Sequence, residues 1–458
     1  MTAVREKEPY FVHEKSFYKA LFKIMVVTMF QNVINYSVNM ADNMMLGRYG
    51  QAELSAASVV NQIFFLLNAF MFNFGAVFTV LAAQYWGQKN TRAINRLAGI
   101  GFRVNIFVAI IFFVICTVMP ARVVGIFTSD AEIIAQGVRY LQIIKYIYIP
   151  YAISNMVMDM LRCVETVSIS FYMSVSSLVI NVVLNYLLIF GKFGCPELGV
   201  AGAAIATLAA RLVEVAVLII YLWKVDKKLC FFSSDFIRWP SELAKPYFKI
   251  ALTIVPAGLA WAIATPIQTA LLGLLTPDAI AANAVTSTYY QLLKVVAQAM
   301  STGSGVIIGK TVGKGDFKTA RAGARTIELI SLGIGLLLGL LLFLFRPLII
   351  SIYTLTPEAE TLTDSMLLVM CFVIVGMSYE IPLLFGTIRA GGDARFASLC
   401  NVICMWCFAM PLAFAAVFWW HLSPLWVVIF IQSEQIIKCI PVFIRIRQYD
   451  KWMKIVAR

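Results

Sequence analysis

Asp42 closes a polar series, Gln31, Asn35, Asn39 and Asp42, whose spacing of three or four residues places all four on one face of a helix. The surrounding run is otherwise apolar. Ser174, Ser177, Asn181 and Asn185 repeat the pattern in a second apolar run, and Asn61 and Asn68, seven apart, do so in a third. In lipid a central Asp costs about 2.5 to 3.5 kcal/mol on insertion scales, so each of these residues needs a reason. For a single Asn or Ser, the competing reason is a hydrogen bond between neighbouring helices. Three seams together point to a hydrated cavity with Asp42 as its carboxylate. Burial disfavours the charged form of a carboxyl group, which suits Asp42 to take up and release a proton. The amide oxygens of Asn181 and Asn185 are hard ligands that would equally suit Na⁺. Because Asp42 lies late in its run, an exposed helix end is the other reading.

Further charges stand well inside apolar runs: Lys145, Arg211, Glu214, Lys294, Glu380, Glu434 and Lys438. Glu434 and Lys438 are four apart, and Arg211 with Glu214 and Arg325 with Glu328 are three apart, so each pair can neutralise itself on one helix face. Glu380, just before Pro382, is the second carboxylate of interest, and pairing with Lys294, a cation with no partner in its own run, is the competing reading. Cys400, Cys404 and Cys407 have helical spacing, but with no His or acid close in sequence they read as small buried hydrophobes. His13 and His421 are too isolated for zinc or a nucleophilic triad, and no enzyme is expected.

The elements that must hold these residues follow from composition. The chain of 458 residues is 61% hydrophobic and 13% charged, with a mean hydropathy of +0.83. A membrane helix needs about 20 mostly apolar residues. Twelve such runs are expected, at 17–46, 54–83, 97–120, 132–161, 167–191, 198–223, 250–275, 279–308, 322–345, 358–388, 396–420 and 424–444. Lys and Arg total 37 against 24 Asp and Glu, and most of the basic residues fall in short gaps, from Lys15, Lys89 and Arg92 to Lys310, Lys314, Arg389 and Arg445. Only Arg48, Arg122, Lys192 and Arg346 fall in the alternate gaps. Because cationic loops stay on the cytoplasmic side, both termini are expected there, in a bacterial inner (plasma) membrane. The positive balance thus reports topology, not nucleic-acid binding.

The two halves match without gaps. Gly47 aligns with Gly273, Leu54–Ser58 with Ile280–Ala284, and Gly87 with Gly313, all 226 residues apart, while Arg162 and Arg389 are 227 apart. Six spans per half give the halves the same orientation, related by an axis along the membrane normal. The expected organisation is an all-α integral membrane fold of twelve transmembrane helices in two pseudo-symmetric six-helix lobes. Residues 1–16 form a polar N-terminal segment, 17–223 the first lobe, 224–249 a basic linker with Trp239-Pro240, 250–444 the second lobe and 445–458 the tail. At the position matching Asp42 the second half has Gln268, and Leu412 matches Asn185. The halves share a scaffold and differ where ionisation matters. Asn35, Asn39, Asn61, Asn68, Ser177, Gln268 and Glu380 are the expected cavity residues.

At these positions the chain resembles the multidrug and toxic compound extrusion (MATE) family. Met40-Ala-Asp-Asn-Met-Met-Leu-Gly47, Ala83-Gln-Tyr-Trp-Gly-Gln88, Asn181-Val-Val-Leu-Asn-Tyr-Leu-Leu-Ile-Phe-Gly191 followed by Leu198-Gly-Val-Ala-Gly-Ala-Ala-Ile-Ala-Thr207, and Arg389-Ala-Gly-Gly-Asp393 occur in the family's order across nearly the whole chain. The resemblance implies an antiporter that expels small organic compounds, often cationic, in exchange for H⁺ or Na⁺, with no cofactor. Carried over by position, its cation site falls on Asp42, Asn181, Asn185 and Thr207. Asn185 departs from many members, which have an acid there, so this chain has one carboxylate instead of two. Members with an acidic pair in spans seven and ten are matched only at Glu380.

The expected partners are a small-molecule substrate and membrane lipid, and the expected state is a monomer. A flippase for lipid-linked precursors, of the same wider superfamily, is the alternative; it would use a cationic cavity, for which Lys145 and Lys294 qualify. A major-facilitator carrier shares the six-plus-six plan, but the acidic-then-basic loop signature is missing between Gln84 and Arg96.

Overall fold

The computed structural model of the chain describes residues 10–226, 228, 234–237, 240–353 and 355–457, and among these there is no strand. Arg5, Lys7, Lys227, Arg238, Trp239 and Arg458, which entered the charge and linker arguments, lie outside the described residues. Among the described residues eleven helices are long and apolar enough to cross a membrane. They are spans one (Lys15–Tyr49), two (Gln51–Gly87), three (Thr91–Val118), five (Ser168–Ile189), six (Val200–Lys224), seven (Ser241–Gly273), eight (Pro277–Gly313), nine (Phe317–Ser351), ten (Pro357–Ile388), eleven (Ala394–Phe418) and twelve (Pro424–Arg447).

The remaining span, four, is not continuous. It runs as Ala131–Ile144, a 3-10 turn Lys145–Ile147, and Tyr148–Cys163. Pro150 explains the break, because its ring crowds the carbonyl four residues earlier and it has no N–H to donate. The chain is therefore a twelve-helix membrane protein with one broken helix. Pro382 has a different outcome. Span ten continues through it as a π-turn, Pro382–Ile388, and the Pro382 carbonyl accepts a hydrogen bond from Ser304 Oγ at 3.1 Å.

Two compact units emerge from the packing. One comprises Phe30–Phe78 and Asn90–Ala251; the other comprises Met1–Met29, Thr79–Lys89 and Leu252–Arg458. The core of the first gathers Leu46, Val60, Leu67, Met71, Leu141, Tyr148 and Ile189. That of the second gathers Leu271, Val285, Met366, Met370, Ile374, Met377 and Val427. Lipid tails are as apolar as these side chains, so close helix contact through small residues, not water exclusion, is what holds such a bundle.

The internal repeat has a physical expression at the helix starts. Asn90 caps span three, accepting from Ala93 N at 3.0 Å, and Asp316, 226 residues later, caps span nine by accepting from Thr319 N at 3.0 Å. It also shows within the second unit, where the ends of spans two and eight cross. A Cβ on Gly87 would lie 2.0 Å from the Lys310 carbonyl oxygen, and a Cβ on Gly313 would lie 2.1 Å from that of Gln84. The contact is reciprocal, since Gln84 and Lys310 are themselves repeat-related. Gln84 is fully buried there. It donates to the carbonyls of Ala390 and Lys454, each at 3.1 Å, and accepts from Val456 N at 2.7 Å and Ala457 N at 3.1 Å. The tail is thereby stitched to the basic end of this unit.

Candidate functional site

Spans five and six carry the site residues of the first unit, and a run of small residues lets them approach. Gly191 and Gly199 turn the chain at φ +61° and +55°, in the region where a side chain is strained. Leu198 N then donates to Leu188 O at 2.9 Å. A Cβ on Gly202 would lie 2.5 Å from that same carbonyl oxygen, so only glycine permits the crossing. The close approach brings Thr207 to Asn181.

From there the contacts run in a chain. Asn181 Nδ2 donates to Thr207 Oγ1 at 3.2 Å, Asn185 Nδ2 donates to Asn181 Oδ1 at 3.1 Å, and the same nitrogen donates to Asp42 Oδ1 on span one. Asn181 and Asn185 are both 0% exposed, which removes water as their alternative partner. Asn185 Oδ1 is buried without a hydrogen-bond partner. Asp42 makes no ion pair among the described residues, because the nearby cation Arg211 is held by Glu214 at 2.7 Å and lies 5.4 Å over the Tyr151 ring. The arrangement is a carboxylate, two amides and a hydroxyl with a spare, buried carbonyl oxygen. It can accept a proton, or ligate a hard monovalent cation through oxygen.

The other expected cavity residues are not bonded to this chain. Gln31 Oε1 accepts from Arg162 at 3.1 Å, so the first member of the span-one seam serves helix packing. Asn39 is exposed and donates to its own helix at Asn35 O, 3.2 Å away. Asn68 Oδ1 accepts from the Tyr151 hydroxyl at 2.7 Å. Asn61 is half-buried, and Ser177 is buried on span five. Tyr151, which both bonds Asn68 and lies under Arg211, was not singled out in the sequence; a tyrosine near a helix break carries no local signal.

In the second unit Gln268 presents a buried Nε2 with no partner. Glu380 is 1% exposed, and its Oε2 also has none. Lys294 makes no ion pair with Glu380 among the described residues. Its Nζ instead lies 4.4 Å from the Trp261 ring centroid and 5.8 Å from that of Tyr290, where aromatic faces attract the cation. Glu434 pairs with Lys438 at 3.2 Å, as the spacing allows. Arg325 and Glu328 do not pair with each other: Glu328 takes Arg447 at 3.1 Å, and Arg325 Nε donates to Tyr449 OH at 2.9 Å. The end of span twelve and the segment after it, absent from a one-helix argument, supply the better-placed partners. Cys400 and Cys404 are buried thiols, whereas Cys407 faces outward from the π-turn Cys404–Ala409.

Comparison with known proteins bears on the family and the fold. The MatE family model matches residues 28–187 and 259–415. The chain is 25% identical over 385 residues to the uncharacterized transporter YisQ of Bacillus subtilis, covering 82% of each chain. It is 23% identical to the probable multidrug resistance protein NorM of Thermotoga maritima, over 88% of this chain and 87% of that one. Its fold superposes on the Vibrio cholerae MATE transporter VcmN in the bent form with a TM-score of 0.85, at 17% identity, covering 97% of this chain and 99% of that one. With matching repeats, a matching twelve-helix fold and a family match over both halves, the chain belongs to the MATE family of membrane transporters.

Proposed function

We propose that the chain is a secondary antiporter that exports small organic compounds, such as drugs, dyes, organic cations or metabolites, in exchange for H⁺ or Na⁺. Asp42 is the coupling carboxylate, with Asn181, Asn185 and Thr207 completing its shell. The observation that carries this reading is that Asp42 is met by the Asn185 amide and makes no ion pair among the described residues, Arg211 being engaged by Glu214, which leaves its charge to be answered by the transported ion. Lobe movement by alternating access would couple that ion to a substrate near the midplane. The working unit is a monomer in a bacterial plasma membrane, with the basic loops and both termini on the cytoplasmic side.

The test is efflux of a fluorescent organic cation from proteoliposomes under separately imposed H⁺ and Na⁺ gradients. Efflux driven by one of the two, and lost when that gradient is collapsed, is expected. Equal efflux with no ion gradient would sink the proposal.

A further inference from the structure

A cavity of about 820 Å³ opens on the second unit where spans nine, ten and twelve meet the N-terminal segment and the tail. Its walls change character along its length. Leu329, Leu332, Val375, Ile440 and Phe443 make one part apolar, and of these Leu329, Leu332, Ile440 and Phe443 are exposed where lipid chains would lie. Two guanidiniums, three tyrosines and a carboxylate line the polar part: Arg325, Arg447, Tyr10, Tyr379, Tyr449 and Glu328.

The polar part is built, not incidental. Arg325 lies 4.4 Å from the Tyr10 ring centroid and donates its Nε to Tyr449 OH, which leaves its terminal nitrogens as donors with no carboxylate partner among the described residues. Arg447 lies 3.5 Å over the Phe443 ring. The one acid among the described lining residues, Glu328, is already engaged: it accepts from Tyr379 OH at 2.8 Å and from Arg447 Nη1 at 3.1 Å. Among the described lining residues two cations against one carboxylate leave a net charge of +1, which a single phosphodiester would neutralise.

Depth fixes the kind of ligand. Arg447 is the last residue of span twelve, and Arg325 stands in the third turn of span nine, so the guanidiniums sit at the level where a span leaves the hydrocarbon. Tyrosine and arginine are the anchors of that zone, and basic pockets between transmembrane helices on this side bind anionic headgroups. A planar guanidinium is matched to phosphate oxygens.

We propose that this cavity binds one anionic phospholipid of the leaflet at the basic end, its phosphodiester held by Arg325 and Arg447 and its acyl chains laid along Leu329, Leu332, Ile440 and Phe443. A headgroup that also carries an ammonium would restore the uncompensated charge, so phosphatidylglycerol is preferred to phosphatidylcholine.

The experiment is native mass spectrometry of the purified full chain with phosphatidylglycerol or phosphatidylcholine of matched chains added in equal amounts. Wild-type protein is expected to retain the first about tenfold more than the second, corresponding to about 1.4 kcal/mol. The double substitution Arg325→Gln with Arg447→Gln is expected to remove one retained phosphatidylglycerol, whereas Arg122→Gln, in the other unit, leaves retention unchanged. Equal retention of the two lipids by the wild-type protein overturns the proposal and needs no variant to fold. So does displacement of the lipid by millimolar inorganic phosphate, which would assign the guanidiniums to a soluble anion.

Discussion

Asn185, on span five, donates its side-chain amide to the carboxylate of Asp42 on span one. The bond joins two residues 143 positions apart, and the cation nearby, Arg211, is held by Glu214 and not by the acid. A carboxylate so placed can lose its charge to a proton or share it with a small cation, and the bond keeps its orientation through either event. Replacing Asp42 with Asn removes the exchangeable charge but keeps the shape. Asp42→Asn is therefore expected to insert and fold as the wild type does, while ion-driven efflux from vesicles falls to the level of protein-free liposomes. Unchanged transport would remove Asp42 from the mechanism.

Asn185 also bonds Asn181, so its loss acts on the whole chain of contacts. Asn185→Leu fills the space and withdraws both donors, leaving buried acceptors unsatisfied at about 1 to 3 kcal/mol. The concentration of the driving ion needed for half-maximal efflux is expected to rise about tenfold or more, while binding of the organic substrate changes little. A titration of efflux against the driving ion decides it: an unmoved midpoint rejects the role.

Gln268 occupies the position that matches Asp42 in the second repeat, and its side-chain nitrogen is buried without a partner. Removing an already unsatisfied amide relieves a cost instead of adding one. Gln268→Ala is expected to retain efflux within about twofold and to melt no lower than the wild type. A loss as deep as that of Asp42→Asn would contradict the asymmetry between the lobes.

Gly87 and Gly313 each face a backbone carbonyl across the crossing of spans two and eight, and neither carbonyl can move without breaking its helix. Overpacking at such a contact costs about 1 to 3 kcal/mol. Gly87→Ala and Gly313→Ala are each expected to lower the melting temperature in detergent by a similar number of degrees. A marked drop in one with none in the other would show that the crossing is not reciprocal.

The span count, the repeat and the polar faces were legible in the sequence because lipid imposes them locally. A helix must satisfy its own backbone in hydrocarbon, and an Asn or Asp inside an apolar run is conspicuous where it stands. The family motifs around Asn181 and Gly202 also pointed to residues that the fold joins, with Gly202 explaining why Thr207 reaches Asn181.

What the sequence could not resolve depends on partners far along the chain. Nothing near Gln31 marks it for Arg162, nothing near Glu328 marks it for Arg447, and the spacing that fits Lys294 to Glu380 is silent about Trp261. The break in span four likewise required the competition between Pro150 and tertiary packing to be settled in three dimensions. Sequence alone determined which residues are costly in a membrane and on which helix face each lies. Tertiary structure alone decided which of those costs is met by a charged neighbour and which, as at Asp42, is met by an amide, because compensation depends on distance in space and burial, and neither is written in the order of the residues.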